Sequence, residues 1–301
     1  MSTYNGEKYL AEQLDSILAQ EGVHVELFVR DDGSSDSTKD ILRKYASSHE
    51  NIHLTFGENM GAARSFIEAL KAAPKYEYYA LSDQDDVWEK DKLDIAVSSI
   101  LQNSGKHPVI YASNMYDTDE NLNVIRKLPR DRFKHNLEAV ILRRNLYGCT
   151  MVFTPEIYEF FRQAGYIPEA VLRYYHDSLI ASVCCCLGGV IIFDKEAHIF
   201  RRMHTNNETG DYRAYLPIVR RIVTEMNIMR WAKGTEPDIA RWILQTLDSA
   251  LPQNVRGTLE LIADCKNSLC SRLKFFFSPK FSTGDFRITI WGKVKMLFGL
   301  L

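Results

Sequence analysis

In the stretch YYALSDQDDVWEKDKLD, residues 78–94, an aromatic, apolar run ends in three carboxylates within four positions, Asp83, Asp85 and Asp86. Carboxylates this close repel one another unless a cation or a bound proton relieves them. Hard divalent cations such as Mg²⁺ take oxygen ligands and usually only one or two protein carboxylates, keeping positions for water and substrate phosphates. A D-x-D at a strand end supplies that set. An exposed acidic turn favouring the N-terminus of the next helix explains the same residues, and the short motif leaves both readings open. Val87 and Trp88 stand where a calcium loop needs a ligand and a glycine, which excludes an EF-hand.

Three further clusters have chemical potential. In DDGSSDST, residues 31–38, Asp31 can accept a hydrogen bond from a base imide, and Gly33 permits a sharp turn with close ligand approach. Turn chemistry accounts for Gly33 to Ser37 but not for two consecutive Asp at a strand tip. His176 and Asp177 directly precede an apolar helix, where Asp177 is either an N-cap or a general base fixed at the helix head. Arg201, Arg202 and His204 open a polar segment, RRMHTNNETG, that reads as a solvated loop or as a mobile flap meeting a diphosphate. Neither G-x-G-x-x-G nor a Walker loop is present, so a dinucleotide cofactor and a P-loop are not expected.

The elements that must position these clusters alternate. EKYLAEQLDSILAQ places Leu10, Leu14, Ile17 and Leu18 on one helical face, and VHVELFVR is a strand leading into Asp31. Ser37 or Asp36 can cap the next helix, IHLTF is a strand, and the helix after GENMGAARSF turns Phe66, Ile67 and Leu70 inward. YEYYAL and PVIYAS add strands. This rhythm predicts an α/β fold with a mostly parallel sheet and flanking helices, whose ligands bind beyond the strands' carboxyl ends. Such a unit needs a strand before STYNG; either that strand is absent or another segment fills its slot, and an unfilled slot would leave a neighbour's backbone unpaired. After about residue 205 the pattern becomes helical, giving a catalytic region 1–215 and a mainly helical region 216–301.

Composition limits the alternatives. A net charge of −2 gives no general case for nucleic acid binding. Residues 271–301, however, hold six Lys/Arg against one Asp, while the rest carries 31 basic and 38 acidic side chains. With Phe275 to Phe277, Phe281, Trp291 and Phe298 interleaved, this end reads either as a last helix and strand in a core or as a membrane-associating surface. Six cysteines without CxxC spacing suggest thiols of a reducing compartment rather than disulfides or a zinc site. With no apolar h-region at the start and no spanning run, a cytoplasmic location is expected.

Together, STYNGEKYLAEQLDSILAQ, RDDGSSDST, ENMGAARSF, LSDQDDVW, His176-Asp177 and RRMHTNNETG resemble glycosyltransferase family 2 enzymes of GT-A fold, especially rhamnosyltransferase-like members building bacterial surface polysaccharides. The resemblance implies an inverting, metal-dependent glycosyltransferase (EC 2.4 type) using Mg²⁺ or Mn²⁺. Its donor would be a dTDP- or UDP-sugar and its acceptor a saccharide, lipid-linked at the inner face of the plasma membrane. Thr3 and Asp31 would contact the base, with Asp32 supporting them, and Arg64 would approach the nucleotide. Asp83 and Asp85 would hold the metal on the diphosphate, Asp83 thereby also binding the donor. Asp86, Trp88 and His176 would face sugar or acceptor, and Asp177 would be the base. His176 replaces the family's usual Glu, and the Q-x-x-R-W of processive synthases is missing. A sugar nucleotidyltransferase, or a catalytically weak glycan- or nucleotide-binding protein on the same fold, are the alternative readings.

Overall fold

The computed structural model describes residues 1–103, 105, 108–127, 133–142, 146–172, 176–204, 235–248 and 251–300. They divide into two units, Met1–Asp131 with Leu146–Gly165 and Val190–Arg202, and Arg132–Asn145 with Tyr166–Gly189 and Met203–Leu301. The boundary expected near Tyr215 and the helix expected over 215–232 lie outside the described residues.

In the first unit, strands β1 (Ser2–Thr3), β2 (Leu27–Asp31) and β3 (Ile52–Phe56) form a parallel sheet in that order. Helices α1 (Leu10–Leu18), α2 (Thr38–Ser48) and α3 (Ala62–Ala72) connect and flank it. The expected apolar faces form: Leu10, Leu14 and Ile17 of α1 and Phe66, Ile67 and Leu70 of α3 are buried. At the start of α2 it is Asp36, not Ser37, that accepts from the Thr38 amide, at 3.0 Å. The place of the first strand is taken by two residues, Ser2 beside Arg30 and Thr3 beside Asp31.

A second sheet comprises β4 (Tyr79–Ala80), β5 (Val87–Trp88), β6 (Val109–Thr118), β7 (Val124–Lys127), β8 (Met151–Phe153) and β9 (Val190–Arg202). Its order is β4-β8-β6-β9-β5, with β7 on β6. Only β6 and β9 run parallel; the other pairs are antiparallel. The parallel layout expected throughout therefore holds in the first sheet and gives way to a mixed one in the second. There the short β4 and β5 flank the acidic turn instead of being joined by a long helical crossover. Helices α4 (Lys92–Gln102) and α6 (Pro155–Gln163) belong to the same unit.

The second unit is helical: α5 (Leu137–Leu142), α7 (Glu169–Leu172), α8 (His176–Cys186), α9 (Thr235–Leu247), α10 (Gln253–Asp264), α11 (Leu269–Phe277) and α12 (Phe286–Leu297). Where the core reading expects a last helix and a strand, this end forms α11 and then a second helix, α12. Asp285 caps it by accepting from the Ile288 amide at 3.1 Å, and a satisfied N-terminus outweighs the strand preference of its β-branched residues. The six cysteines are free thiols.

Candidate active site

Two acidic tips meet the loop that follows β1. Asp31, at the end of β2, is fully buried; Thr3 Oγ1 donates to it at 3.1 Å, and the Ser34 amide and hydroxyl at 3.0 and 2.5 Å. Asp32 pairs with Arg30 and accepts from the Met60 and Gly61 amides at 3.0 and 2.9 Å. Gly33 has φ +84°, and a Cβ there would come within 3.0 Å of the Asn59 amide nitrogen, so the turn needs glycine. Arg64 sits half-buried in the first turn of α3.

The second tip is Asp83 to Asp86, between β4 and β5. Asp83, Asp86 and Cys149 each bring a ligand atom within 4.8 Å of the others. Asp86 is buried, and its Oδ2 has no hydrogen-bond partner. Desolvation, then the charges of Asp85 and Asp83, hold its carboxyl well above the usual carboxylate range. Burial also pushes the Cys149 thiol well up. A protonated thiol is a poor partner for a hard cation, so the oxygen donors define the site's preference. An unpartnered carboxylate oxygen beside two more carboxylates fits a divalent cation.

Helix α1 steadies this tip. The buried Gln13 donates to Ser82 Oγ at 2.7 Å, and Ser16 Oγ accepts from the Trp88 amide at 3.1 Å. Trp88 is itself buried, with the Lys92 ammonium nitrogen 3.5 Å from its ring centroid. Lys92 is fully buried with no hydrogen bond at Nζ, and desolvation lowers its pKa to about 7.

The residue between the two D-x-D aspartates joins the tips. Gln84 Oε1 accepts from the Tyr4 amide at 2.8 Å, and its Nε2 donates to the Tyr4 carbonyl at 3.0 Å. A Cβ on Gly6 would lie 2.3 Å from Gln84 Oε1, so glycine is required there for contact rather than for φ. Sequence reading missed Gln84, Gly6, Cys149 and Lys92; a Gln within the acidic motif was the one visible sign.

The remaining candidates are placed less uniformly. Arg201 and Arg202 lie within β9, not on a loop. Arg201 donates to Asp117 Oδ1 from Nε at 2.9 Å and from Nη2 at 2.6 Å, and Arg202 pairs with Glu12. His204 follows in the second unit and is buried. Also in the second unit, His176 and Asp177 form the first turn of α8, where Asp177 Oδ1 accepts from the Ser178 amide at 2.6 Å. Desolvation lowers the His176 pKa to about 3, so it is a neutral imidazole at physiological pH.

The family model "Glycosyl transferase family 2" matches residues 1–162, more than half of the chain and both acidic tips. The chain belongs to glycosyl transferase family 2. Among its relatives, the dTDP-rhamnosyl transferase RfbG of Shigella flexneri is 29% identical over 70% of this chain and 73% of its own. A teichuronic acid biosynthesis glycosyltransferase, TuaG of Bacillus subtilis, is 32% identical over 58% of this chain and 66% of its own. A shorter match, 35% identical over 35% of this chain and 40% of the relative, is Escherichia coli WfgD, a UDP-Glc:α-D-GlcNAc-diphosphoundecaprenol β-1,3-glucosyltransferase. Solved structures confirm the GT-A fold. S. aureus TarS with UDP-GlcNAc superposes with a TM-score of 0.60 at 22% identity, over 93% of this chain and 72% of that one. A Pyrobaculum calidifontis mannosyltransferase with GDP-Man and Mn²⁺ gives 0.52 at 19% identity, over 99% and 85%. The family 2 glycosyltransferase thus acts on nucleotide-sugar substrates, and its two acidic tips lie within the matched region.

Proposed function

We propose that this family 2 glycosyltransferase moves a sugar, rhamnose by its likeness to RfbG, from a dTDP- or UDP-sugar to a lipid-linked saccharide of a surface polysaccharide. The observation that carries the reading is the crowded carboxylate tip, with its unpartnered Asp86 oxygen, tied through Gln84 to the loop after Thr3. Thr3 and Asp31 form the base end. Because the Asp31 carboxylate is already engaged by Thr3 and Ser34, base recognition there exchanges one of those hydroxyl bonds for the imide. Asp32 holds the turn, and Arg64 serves the phosphates.

Asp83 and Asp85 would hold Mg²⁺ or Mn²⁺, with the open Asp86 oxygen completing the set. Bound there, the ion would neutralise charge on the departing nucleoside diphosphate. Asp177 is the base: it takes the proton from the acceptor hydroxyl as that oxygen attacks the anomeric carbon, and the diphosphate leaves from the opposite face with inversion. Neutral His176 and Trp88 serve the acceptor and sugar side. Arg201 and Arg202 support the tip from β9, and His204 would serve the diphosphate.

Lipid-linked acceptors call for contact with a membrane surface. Among the described residues no helix is long and apolar enough to span one. Helices α11 and α12 instead expose Phe277 (76%), Phe286 (79%) and Trp291 (48%) alongside the exposed Lys274 and Arg287 and the half-buried Arg272 and Lys295. Such a mixture suits peripheral binding to an anionic inner leaflet, at roughly 1 kcal/mol per basic residue near the surface.

The test is a donor panel with lipid-linked acceptors, product detection by mass spectrometry, and arms containing Mn²⁺ or EDTA. Transfer from one nucleotide-sugar, abolished by EDTA, is expected. In Asp177→Asn, transfer should fall by about 10²- to 10⁴-fold with donor binding retained. Asn caps a helix about as well as Asp, so unchanged turnover in that variant would reduce Asp177 to a structural role.

A further inference from the structure

The two acidic tips belong to different sheets, and one peptide group spans them. It is the unit between Tyr4 and Asn5. Its carbonyl accepts from Gln84 Nε2 at 3.0 Å, and its N–H donates to Ser34 Oγ at 2.9 Å. Ser34 Oγ donates in turn to Asp31 Oδ2 at 2.5 Å. Gln84, in the middle of the D-x-D, is thus three hydrogen bonds from the Asp31 carboxylate, and every donor in the row points toward it. The peptide between them is planar and stiff, and hydrogen bonds aligned in one direction polarise one another.

The two ends of this row are held differently. Toward the first tip the loop is fastened several times over. The Ser35 amide donates to Asn5 Oδ1 at 2.8 Å, the Gly6 amide to Thr38 Oγ1 at 2.8 Å, and the Glu7 amide to Asp36 Oδ2 at 3.1 Å. Asn5 takes φ +47°, a left-handed conformation that this short polar side chain tolerates. Toward the second tip the tie is a single rung, the pair of bonds between Gln84 and the Tyr4 backbone. The rung is exposed to water, where each such bond adds little net stability. It also has a fixed slot, because a Cβ on Gly6 would displace the Gln84 amide.

We propose that Gln84 is a positioning residue that sets both halves of the donor site at once, so that affinity for the nucleoside base depends on a side chain inside the D-x-D. The proposal rests on the donor assignments under the proposed function and goes beyond them. With the rung closed, the loop after Thr3 is in place for the base, and Asp83 and Asp85 flank an amide that is held still. With the rung open, each ligand has to close it on binding, and its apparent dissociation constant rises by the inverse of the closed fraction. Loss of one or two exposed hydrogen bonds corresponds to a change of about 3- to 10-fold.

The experiment uses one ligand for each end: uridine or thymidine in EDTA, followed by NMR titration, and Mn²⁺ alone, followed by its electron paramagnetic resonance. Neither nucleoside carries a phosphate that could bridge to the cation. Gln84→Ala is expected to weaken nucleoside binding by about 3- to 10-fold, with the urea midpoint unchanged. Gly6→Ala, which displaces the Gln84 amide from the loop side, should weaken Mn²⁺ binding by a similar factor. The double variant should bind both ligands as Gln84→Ala does, because the clash is gone and the two losses do not add. Nucleoside binding that is unchanged in Gln84→Ala overturns the proposal and leaves the donor assignments standing. Additive losses in the double variant, or a lowered urea midpoint in Gln84→Ala, overturn it as well. A parent chain that binds only one of the two ligands, or neither, overturns the donor assignments and this proposal with them.

Discussion

The acidic tips at Asp31-Asp32 and at Asp83–Asp86 are alike in composition and opposite in condition. The first is saturated: its carboxylates accept from Thr3, Ser34, Met60 and Gly61 and pair with Arg30. The second leaves a buried carboxylate oxygen unpartnered beside two like charges. A saturated cluster fixes shape, since each bond specifies where a backbone turn must lie. An unsatisfied one stores a demand for a positive charge, which, in the function proposed above, a cation arriving with the donor would meet.

The contrast breaks first at Asp32. Asp32→Ala strips Arg30 of its buried partner and leaves the Met60 and Gly61 amides without an acceptor, so unfolding in urea should show a loss of about 3–5 kcal/mol. A loss under 1 kcal/mol would mean the first tip is not structural. Lys92→Met tests the surroundings of the second tip. The buried ammonium, lowered to about 7, penalises the fold at and below that pH, and the penalty fades as pH rises toward the unfolded value near 10.5. The variant should therefore be more stable at pH 7, on the order of 1 kcal/mol, and the two chains should converge by pH 10. The smallest stability change is expected for Asp86→Asn. Raised above its ordinary value, the Asp86 carboxyl weakens the fold at neutral pH, and the penalty disappears as pH falls toward 4. The variant's urea midpoint should equal or slightly exceed the parent's at pH 7, while calorimetry shows weaker Mn²⁺-dependent nucleoside diphosphate binding. A large drop in midpoint would make the two tips equivalent after all.

Much of this was legible because the informative signals are local. Asp31-Asp32 and Asp83–Asp86 stand at strand ends that pattern and turn residues announce, and the faces of α1 and α3 follow from a 3.6-residue period. What stayed hidden depends on pairing over distance. Nothing near Gln84 predicts that it bonds the Tyr4 backbone, nor that Cys149, far along the chain, joins Asp86. Arg201 and Arg202 read as flap residues because polar sequence follows them, yet the strand carries on to Arg202 through pairing with Asp117 and Thr118 of β6. At the C-terminal end a second helix stands where a strand was expected, and the Asp285 cap secures it.

The Gln84 amide bonds both the N–H and the C=O of Tyr4, as a peptide group of a neighbouring strand would. It fits only because Gly6 has no side chain. The middle position of this D-x-D is bound to the Tyr4 backbone 80 positions upstream. A lineage that replaces Gln84 frees Gly6 to become a larger residue, and one that first enlarges Gly6 loses the rung. The two positions should therefore change together among descendants of this chain, with Gln84 the one that moves first.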